Sequence, residues 1–380
     1  MCAARPAQAA GTPIATELAG AFAASMAALP QRPWPAAVAV SGGADSLALC
    51  WLLAHWARQN GLTPPVVLSV DHGLCPGSDA IAQTVILQAR QWQLPAHLLS
   101  WKEPKPLRNL EAAARDARYL LLGQWCLSHG IKGLYVGHTL EDQAETILLR
   151  LGRGSGVDGL CAMSGLGPFP REGFRGLELV RPLLAQPRAP LRALLQELDI
   201  LWHEDPMNED PRFSRVRIRQ AWPVLLAAGL VPERLALAAA HLRRARSALK
   251  SAAEGFLASH CRFEDGHAQL DRGALAALPE EIGLRALALV LMRVSGSSYP
   301  PRFRRLLPLY NSICRGELGG GRTLMGCRLS PVPRARQVFG HASLWVRAEA
   351  PRRSPSAAPP DVVKGYTAAE GGSSRSDMED

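Results

Sequence analysis

Residues Val38-Ala39-Val40-Ser41-Gly42-Gly43-Ala44-Asp45-Ser46-Leu47-Ala48-Leu49 run from an apolar strand through two adjacent glycines into an apolar helical stripe. Adjacent glycines let the backbone take dihedrals closed to other residues and bring its N–H groups close to an anion. The anion then lies at a helix start, where unpaired amides and the helix dipole both favour negative charge. The pattern lacks the Walker lysine, and it is not the G-x-G-x-x-G turn of dinucleotide folds. On its own, the same segment also reads as a plain Gly-Gly turn between strand and helix.

The surrounding pattern supplies a sheet. Val38–Ser41, Val66–Val70, Ala96–Leu99 and Leu134–Val136 read as strands, and Ser46–Arg58, Asp79–Trp92 and Leu110–His129 carry apolar residues at helical spacing. Such alternation predicts an α/β fold with a doubly wound, mostly parallel sheet, whose ligands bind at the carboxyl ends of the strands. A smaller mixed, mainly helical domain follows, with helices over Pro232–Leu257, Ile282–Val294 and Phe303–Cys314 and strands over Thr323–Leu329 and Val338–Val346. The expected division is an N-terminal extension with a surface helix (1–30), a catalytic domain (31–221), a second domain (222–348) and a disordered Pro/Ser/Gly/Arg-rich tail (349–380).

A chain of 380 residues with 47% apolar content can fill two cores. The net charge of +10 comes almost wholly from arginine, because Lys102, Lys105, Lys132, Lys250 and Lys364 are the only lysines. Guanidinium forks match phosphate, so a polyanionic partner is expected. Eight scattered cysteines without a C-x-x-C pair exclude a disulfide framework or zinc ribbon and suit a reduced, cytoplasmic setting. No uncharged apolar run approaches the ~20 residues of a membrane span.

Several constellations cluster after predicted strands. Asp71-His72-Gly73 follows the second strand and reads either as a cleft-rim pair or as a turn capped by Asp. Arg115 and Arg118 lie three apart on one helix face; Arg115 also stands four residues after Glu111, where it can simply form a surface pair. His138, Asp142 and Glu145 follow the fourth strand, and the two carboxylates share a polar face. Carboxylates there suit Mg²⁺, the ammonium of an amine substrate, or the dipole of the helix itself. Asn208, Arg212, Arg215, Arg217 and Arg219 lie on a polar loop running into a helix, a pattern that suits RNA as well as a solvated basic face.

Ser41–Ser46 resembles the pyrophosphate loop of N-type ATP pyrophosphatases. Together with Asp71-His72-Gly73-Leu74, Ala114–Tyr119, Gly137–Thr146, Arg153–Gly156, Arg181-Pro182-Leu183-Leu184 and Asp205–Arg219, it resembles the tRNA(Ile)-lysidine synthase family, in family order over about half the chain. The resemblance implies an ATP-dependent ligase that joins L-lysine to C2 of the wobble cytidine in the CAU anticodon of tRNA(Ile), through an adenylated cytidine. It implies ATP held by Ser41, Gly42, Gly43, Ala44, Asp45 and Ser46, and Mg²⁺ near Asp45. Asp45, Arg115, Asp142 and Glu145 would be catalytic. Lysine or tRNA would be bound by Asp142, Glu145, His138, Asn208, Arg212, Arg215, Arg217 and Arg219. A homodimer and a cytoplasmic location go with it. Glu141, Thr139 and Val216 depart from the residues usual in that family, and the likeness fades beyond Trp222. Rival readings are a tRNA thiolase of the 2-thiocytidine type, which needs cysteines for sulfur transfer, a GMP-synthetase-like amidotransferase, whose glutaminase module and nucleophilic cysteine motif are not visible here, and an RNA-binding module without catalysis.

Overall fold

A computed structural model describes residues 12–74, 77–106, 108–204, 210–264, 266–339 and 343–349. The chain forms two compact units, Met1–Ala248 and Leu249–Asp380. The expected tail after Glu349 lies outside the described residues.

The first unit begins with α1 (Pro13–Ala27), β1 (Ala36–Ala39), α2 (Ala44–Gln59), β2 (Val66–Asp71), α3 (Ser78–Gln91), β3 (Ala96–Ser100), α4 (Leu110–Ser128) and β4 (Gly133–Tyr135). It continues through α5 (Leu140–Leu151), α6 (Val157–Leu160), β5 (Leu166–Pro168), β6 (Glu178–Val180), α7 (Arg188–Glu197), α8 (Ser214–Ala227) and α9 (Pro232–His260), whose residues from Leu249 belong to the second unit. The sheet order is β3-β2-β1-β4-β6-β5, parallel except for the antiparallel edge strand β5. The four predicted strands and three predicted helices are all present. The short strands β5 and β6 have too few residues to show a period and were not expected.

Strand alternation places β1 between two cores. Ala36 and Val38 face the layer built on α1, α2, α3 and α7, while Ala37 faces Tyr119, Leu122 and Cys126 of α4. Almost every residue of α2 from Leu47 to Ala54 is buried, as the central helix of a layer requires. The order β3-β2-β1 and then β4 reverses the direction of winding between β1 and β4, and a crevice opens there at the carboxyl ends.

Three expectations are corrected. The N-terminal helix is not a surface appendage: Ala15, Leu18, Phe22 and Met26 form a stripe buried in the main core. Alanine on both faces hides that stripe from a sequence reading. The break between units falls at Ala248/Leu249 rather than Trp222, because α8 packs on α5 and Arg243 of α9 donates to the carbonyls of Cys161 and Met163 (2.9 and 3.0 Å). The second unit is mixed and mainly helical, as expected, and its strands pair into one sheet. It holds a five-stranded antiparallel sheet of β7 (Cys261–Glu264), β8 (His267–Asp271), β9 (Arg322–Leu324), β10 (Cys327–Pro331) and β11 (Ser343–Ala348), with α10 (Arg272–Ala276), α11 (Glu280–Ser295) and α12 (Phe303–Arg315). The single strand expected over Thr323–Leu329 is a hairpin, turned at Met325 and Gly326, both with positive φ.

Phe22→Ala removes a ring buried in the core and is expected to cost about 3–5 kcal/mol in urea denaturation. A loss below about 1 kcal/mol would return α1 to the status of an appendage.

Candidate active site

Between β1 and α2 the chain turns through Ser41, Gly42 and Gly43. Gly42 has φ +88°, and a Cβ there would meet Ile81 Cγ2 at 3.0 Å. The turn is braced from within: Ser46 Oγ donates to Gly43 O (2.8 Å) and accepts from Ser41 N (3.2 Å). His203 N donates to Gly42 O (2.9 Å) from outside. Gly43 caps α2 without a side-chain bond, and the amides of Gly42, Gly43, Ala44, Asp45 and Ser46 meet no acceptor among the described residues. Five open amides at a helix start fit the phosphates of ATP.

The neighbouring strand supplies the other wall. A Cβ on Gly137, just after β4, would lie 2.9 Å from the Asp45 carbonyl oxygen, so glycine is what lets the two crossover segments touch. Gly137→Ala is expected to displace the turn, cost about 1–3 kcal/mol and weaken ATP binding, read by calorimetry. Unchanged ATP affinity would mean that the close approach is incidental.

Asp45, Asp142 and Glu145 converge on a residue that the sequence reading did not single out. Arg188 is the first residue of α7, and each guanidinium nitrogen takes a different carboxylate. Nε meets Asp45 Oδ2 at 3.2 Å, Nη2 meets Asp142 Oδ1 at 2.7 Å, and Nη1 meets Glu145 Oε1 at 3.3 Å. The backbone N–H of Arg188 donates to both oxygens of Glu141 (3.0 and 3.2 Å), which caps α7. Arg219 forks onto Glu145, Nε to Oε1 at 2.7 Å and Nη2 to Oε2 at 3.3 Å. Glu145 is fully buried, and Asp142 also caps α5 by accepting from Thr139 N (2.9 Å) and Thr139 Oγ1 (3.2 Å). The helix-capping reading of Asp142 holds, and Asp142 and Glu145 also share Arg188 with Asp45 of the phosphate turn. The only sequence signal near Arg188 was the Arg181-Pro182-Leu183-Leu184 motif shortly before it.

The other predicted residues divide. Arg115 is exposed beside Tyr119, with its guanidinium 5.1 Å from the ring centroid. The side chain of Glu111, its possible surface partner, lies outside the described residues, as does Asn208. Arg215 and Arg219, one turn apart on α8, face the site: Arg219 through Glu145, and Arg215 through its field on His138 and Asp142. Arg212 instead pairs with Asp210 (2.6 Å), and Arg217 donates to the carbonyls of Pro211 and Arg212. Asp71 accepts from Gly73 N and Ser78 Oγ, which is the turn-capping alternative.

Burial pushes the Asp45 carboxyl up to about 6, with Asp142 and Glu141 adding to the rise and Arg188 opposing it. Burial would raise Asp142 too, but Arg188, the Thr139 amide and His138 hold it below the usual carboxylate range. His138 is pushed down to about 3, first by burial and then by Arg181, Arg215 and Arg115, against the pull of Asp142. Its imidazole is neutral at pH 7, and its Nδ1 is buried without a partner among the described residues.

These shifts act on stability with opposite signs. Between pH 6.5 and about 3 the unfolded chain protonates His138 while the folded chain does not, so stability falls as pH falls. From about 6 to 3.8 the folded chain protonates Asp45 first, which offsets part of that loss. The drop in unfolding free energy between pH 7 and about 4 should shrink in His138→Gln and grow in Asp45→Asn, measured by urea melts. Identical pH dependence in all three proteins would refute both assignments.

Among the described residues, no three His, Cys, Asp or Glu side chains are disposed as a metal cage. Mg²⁺ that accompanies ATP does not require one, since it binds through one or two carboxylates and the phosphates. Asp45, at the start of α2 beside the open amides, fits that role.

An open amide turn at the crossover of a sheet with this order defines a PP-loop protein, and residues 17–225 match the family model described as the PP-loop domain. The fold is similar to that of U34-tRNA thiolase NcsA from Methanococcus maripaludis, with a TM-score of 0.50 and 15% identity over 60% of this chain and 79% of that one. Curated relatives are closer in sequence. A tRNA(Ile)-lysidine synthase from Methylobacterium nodulans is 40% identical, over 83% of this chain and 91% of its own. Another from Wolbachia pipientis wMel is 35% identical, over 77% of this chain and 67% of its own. The chain belongs to the tRNA(Ile)-lysidine synthase family.

Proposed function

We propose that this chain uses ATP to join L-lysine to C2 of the wobble cytidine in the CAU anticodon of tRNA(Ile), releasing pyrophosphate and AMP. The observation that carries this reading is the convergence of the phosphate turn, through Asp45, with Asp142 and Glu145 at the β1/β4 crossover. A ligase that adenylates one substrate and then attacks it with an amine needs anion-binding amides and amine-binding carboxylates side by side.

The open amides of residues 42–46 hold the phosphates. Cytidine O2 attacks the α-phosphorus, the bond to the β-phosphate oxygen breaks, and pyrophosphate leaves. Arg115 stabilises the charge that develops on the transferring group. The lysine amine, paired with Asp142 or Glu145, then attacks C2, AMP departs from that carbon, and a carboxylate takes the proton lost by the amine. Neutral His138 beside Asp142 offers a hydrogen-bonding edge without adding positive charge where the ammonium docks. Mg²⁺, held by Asp45 and the phosphates, would supply charge neutralisation.

The exposed arginines of the second unit, among them Arg302, Arg304, Arg305, Arg322, Arg328 and Arg334, suit a grip on the acceptor side of the tRNA. Among the described residues, no single helix is long and apolar enough to cross a membrane, and a cytoplasmic enzyme accords with that. A homodimer belongs to the same reading; exposed Val224, Leu226, Leu230 and Leu237 around the α8–α9 turn supply apolar surface for it. Sulfur transfer is disfavoured, since none of the eight cysteines forms the C-x-x-C pair such chemistry uses.

Purified protein with ATP, tRNA(Ile) and lysine should release AMP in a lysine-dependent manner. Mass spectrometry of the wobble nucleoside should show the added lysine. Asp142→Asn should lower this turnover by at least roughly 100-fold. AMP release that requires a sulfur donor, or no AMP in any combination, would refute the ligase.

A further inference from the structure

Partly burying an arginine without a counter-ion is unfavourable, and the first unit does so repeatedly in one place. Arg118 of α4 is half-buried, with its guanidinium 5.4 Å from the ring centroid of Tyr119, the same ring that Arg115 approaches. Arg181 is the residue after β6. Its Nη1 donates to Ser164 O (3.1 Å), while its Nε is buried and has no partner among the described residues. Arg215 is half-buried in the first turn of α8. None of the three pairs with a carboxylate among the described residues.

These side chains form one cluster. Arg181 and His138 follow β6 and β4, which are adjacent parallel strands. Arg118 feels Arg115 and Arg215, Arg181 feels Arg115, and His138 feels Arg181, Arg215 and Arg115. Other arginines nearby are spent: Arg188 and Arg219 on the buried carboxylates, Arg212 on Asp210, and Arg217 on loop carbonyls. The phosphate turn after β1 differs in kind, offering backbone amides rather than guanidiniums.

We propose that Arg118, Arg181 and Arg215, bordered by Arg115, form a seat for the backbone phosphodiesters beside the reacting nucleotide of the RNA. This rests on the RNA-modifying reading given above. ATP already has its own amides, and half-exposed guanidiniums suit a polyanion that arrives from solvent. Their forks match phosphate oxygens, and the Tyr119 ring steadies Arg118 and Arg115. The seat is also wired to the chemistry. One turn of α8 separates Arg215, on the phosphate, from Arg219, on Glu145, so the backbone of the RNA is registered by the helix that holds the amine-binding acid. Phosphate contacts of this kind position the substrate and leave base choice to other groups.

The test measures binding of a CAU anticodon stem-loop RNA across a salt series, and ATP binding separately, for Arg118→Gln and Arg181→Gln. Arg58→Gln, an exposed arginine at the far end of α2, serves as the control. Each cluster variant should bind RNA roughly ten-fold more weakly. Each should also flatten the slope of log K against log salt by about 0.7–1, with ATP affinity and the control unchanged. Arg118→Lys and Arg181→Lys keep the charge but not the fork, so they should restore the slope and only part of the affinity; they also serve if a Gln variant fails to fold. An unchanged salt slope would overturn the proposal. So would weakened ATP binding with intact RNA binding, which would assign the cluster to the nucleotide's phosphates. A wild-type chain that binds the RNA with the expected slope but modifies nothing would defeat the ligase reading while leaving this seat in place.

Discussion

Four carboxylates gathered at the edge of a core cannot all stay ionised without cations between them, and this constraint organises the first unit. Asp45, Glu141, Asp142 and Glu145 come from α2 and α5, and all four reach the first residue of α7. The Arg188 guanidinium divides its nitrogens among three of them, its backbone amide takes the fourth, and Arg219 of α8 takes what remains of Glu145. Leaving one such buried charge unpaired costs on the order of 3–5 kcal/mol, so the network ties four helices to one point. The ties that hold the helices are also the groups to which the proposed reaction assigns its roles. In the proposed reaction a substrate ammonium would exchange with cations already present rather than fill a bare acidic pocket.

That point falls where it does because of the sheet. Reversal of winding between β1 and β4 leaves a crevice between two strand ends, with the amide turn on one side and the start of α5 on the other. Gly137 permits the contact, since any side chain there would press on the Asp45 backbone. The amide turn and the carboxylates of α5 are neighbours because two parallel strands are neighbours.

Arginine is the common currency of the surface, but the fold gives equivalent arginines different work. In the stretch Arg212 to Arg219, alternate arginines read as one basic face. The helix instead sends Arg215 and Arg219 toward the crevice, while Arg212 and Arg217 brace the loop from which α8 starts. Helical geometry separates Arg217 from Arg215 and Arg219, since residues four apart share a face and those two apart do not, while Arg212 precedes the helix.

Much of the architecture was legible in the chain itself. The parallel sheet followed from apolar runs alternating with helical stripes, and the phosphate turn from Gly42-Gly43 at a strand-to-helix junction, because these depend on local periodicity and local backbone freedom. Asp45, Asp142 and Glu145 were legible for the same reason, each standing at a fixed offset from a strand end. Arg188 was not, because its role arises from a helix more than forty residues away in sequence swinging its first residue between α2 and α5. The buried face of α1 escaped notice because alanine blurs amphipathic contrast. The second sheet escaped because its strands are short and its β9–β10 hairpin is built from a sequence that reads as one strand. Sequence determined which elements form and which residues lie at their ends; only the tertiary structure decided which ends meet, since long-range pairing of charges and strands has no local signature.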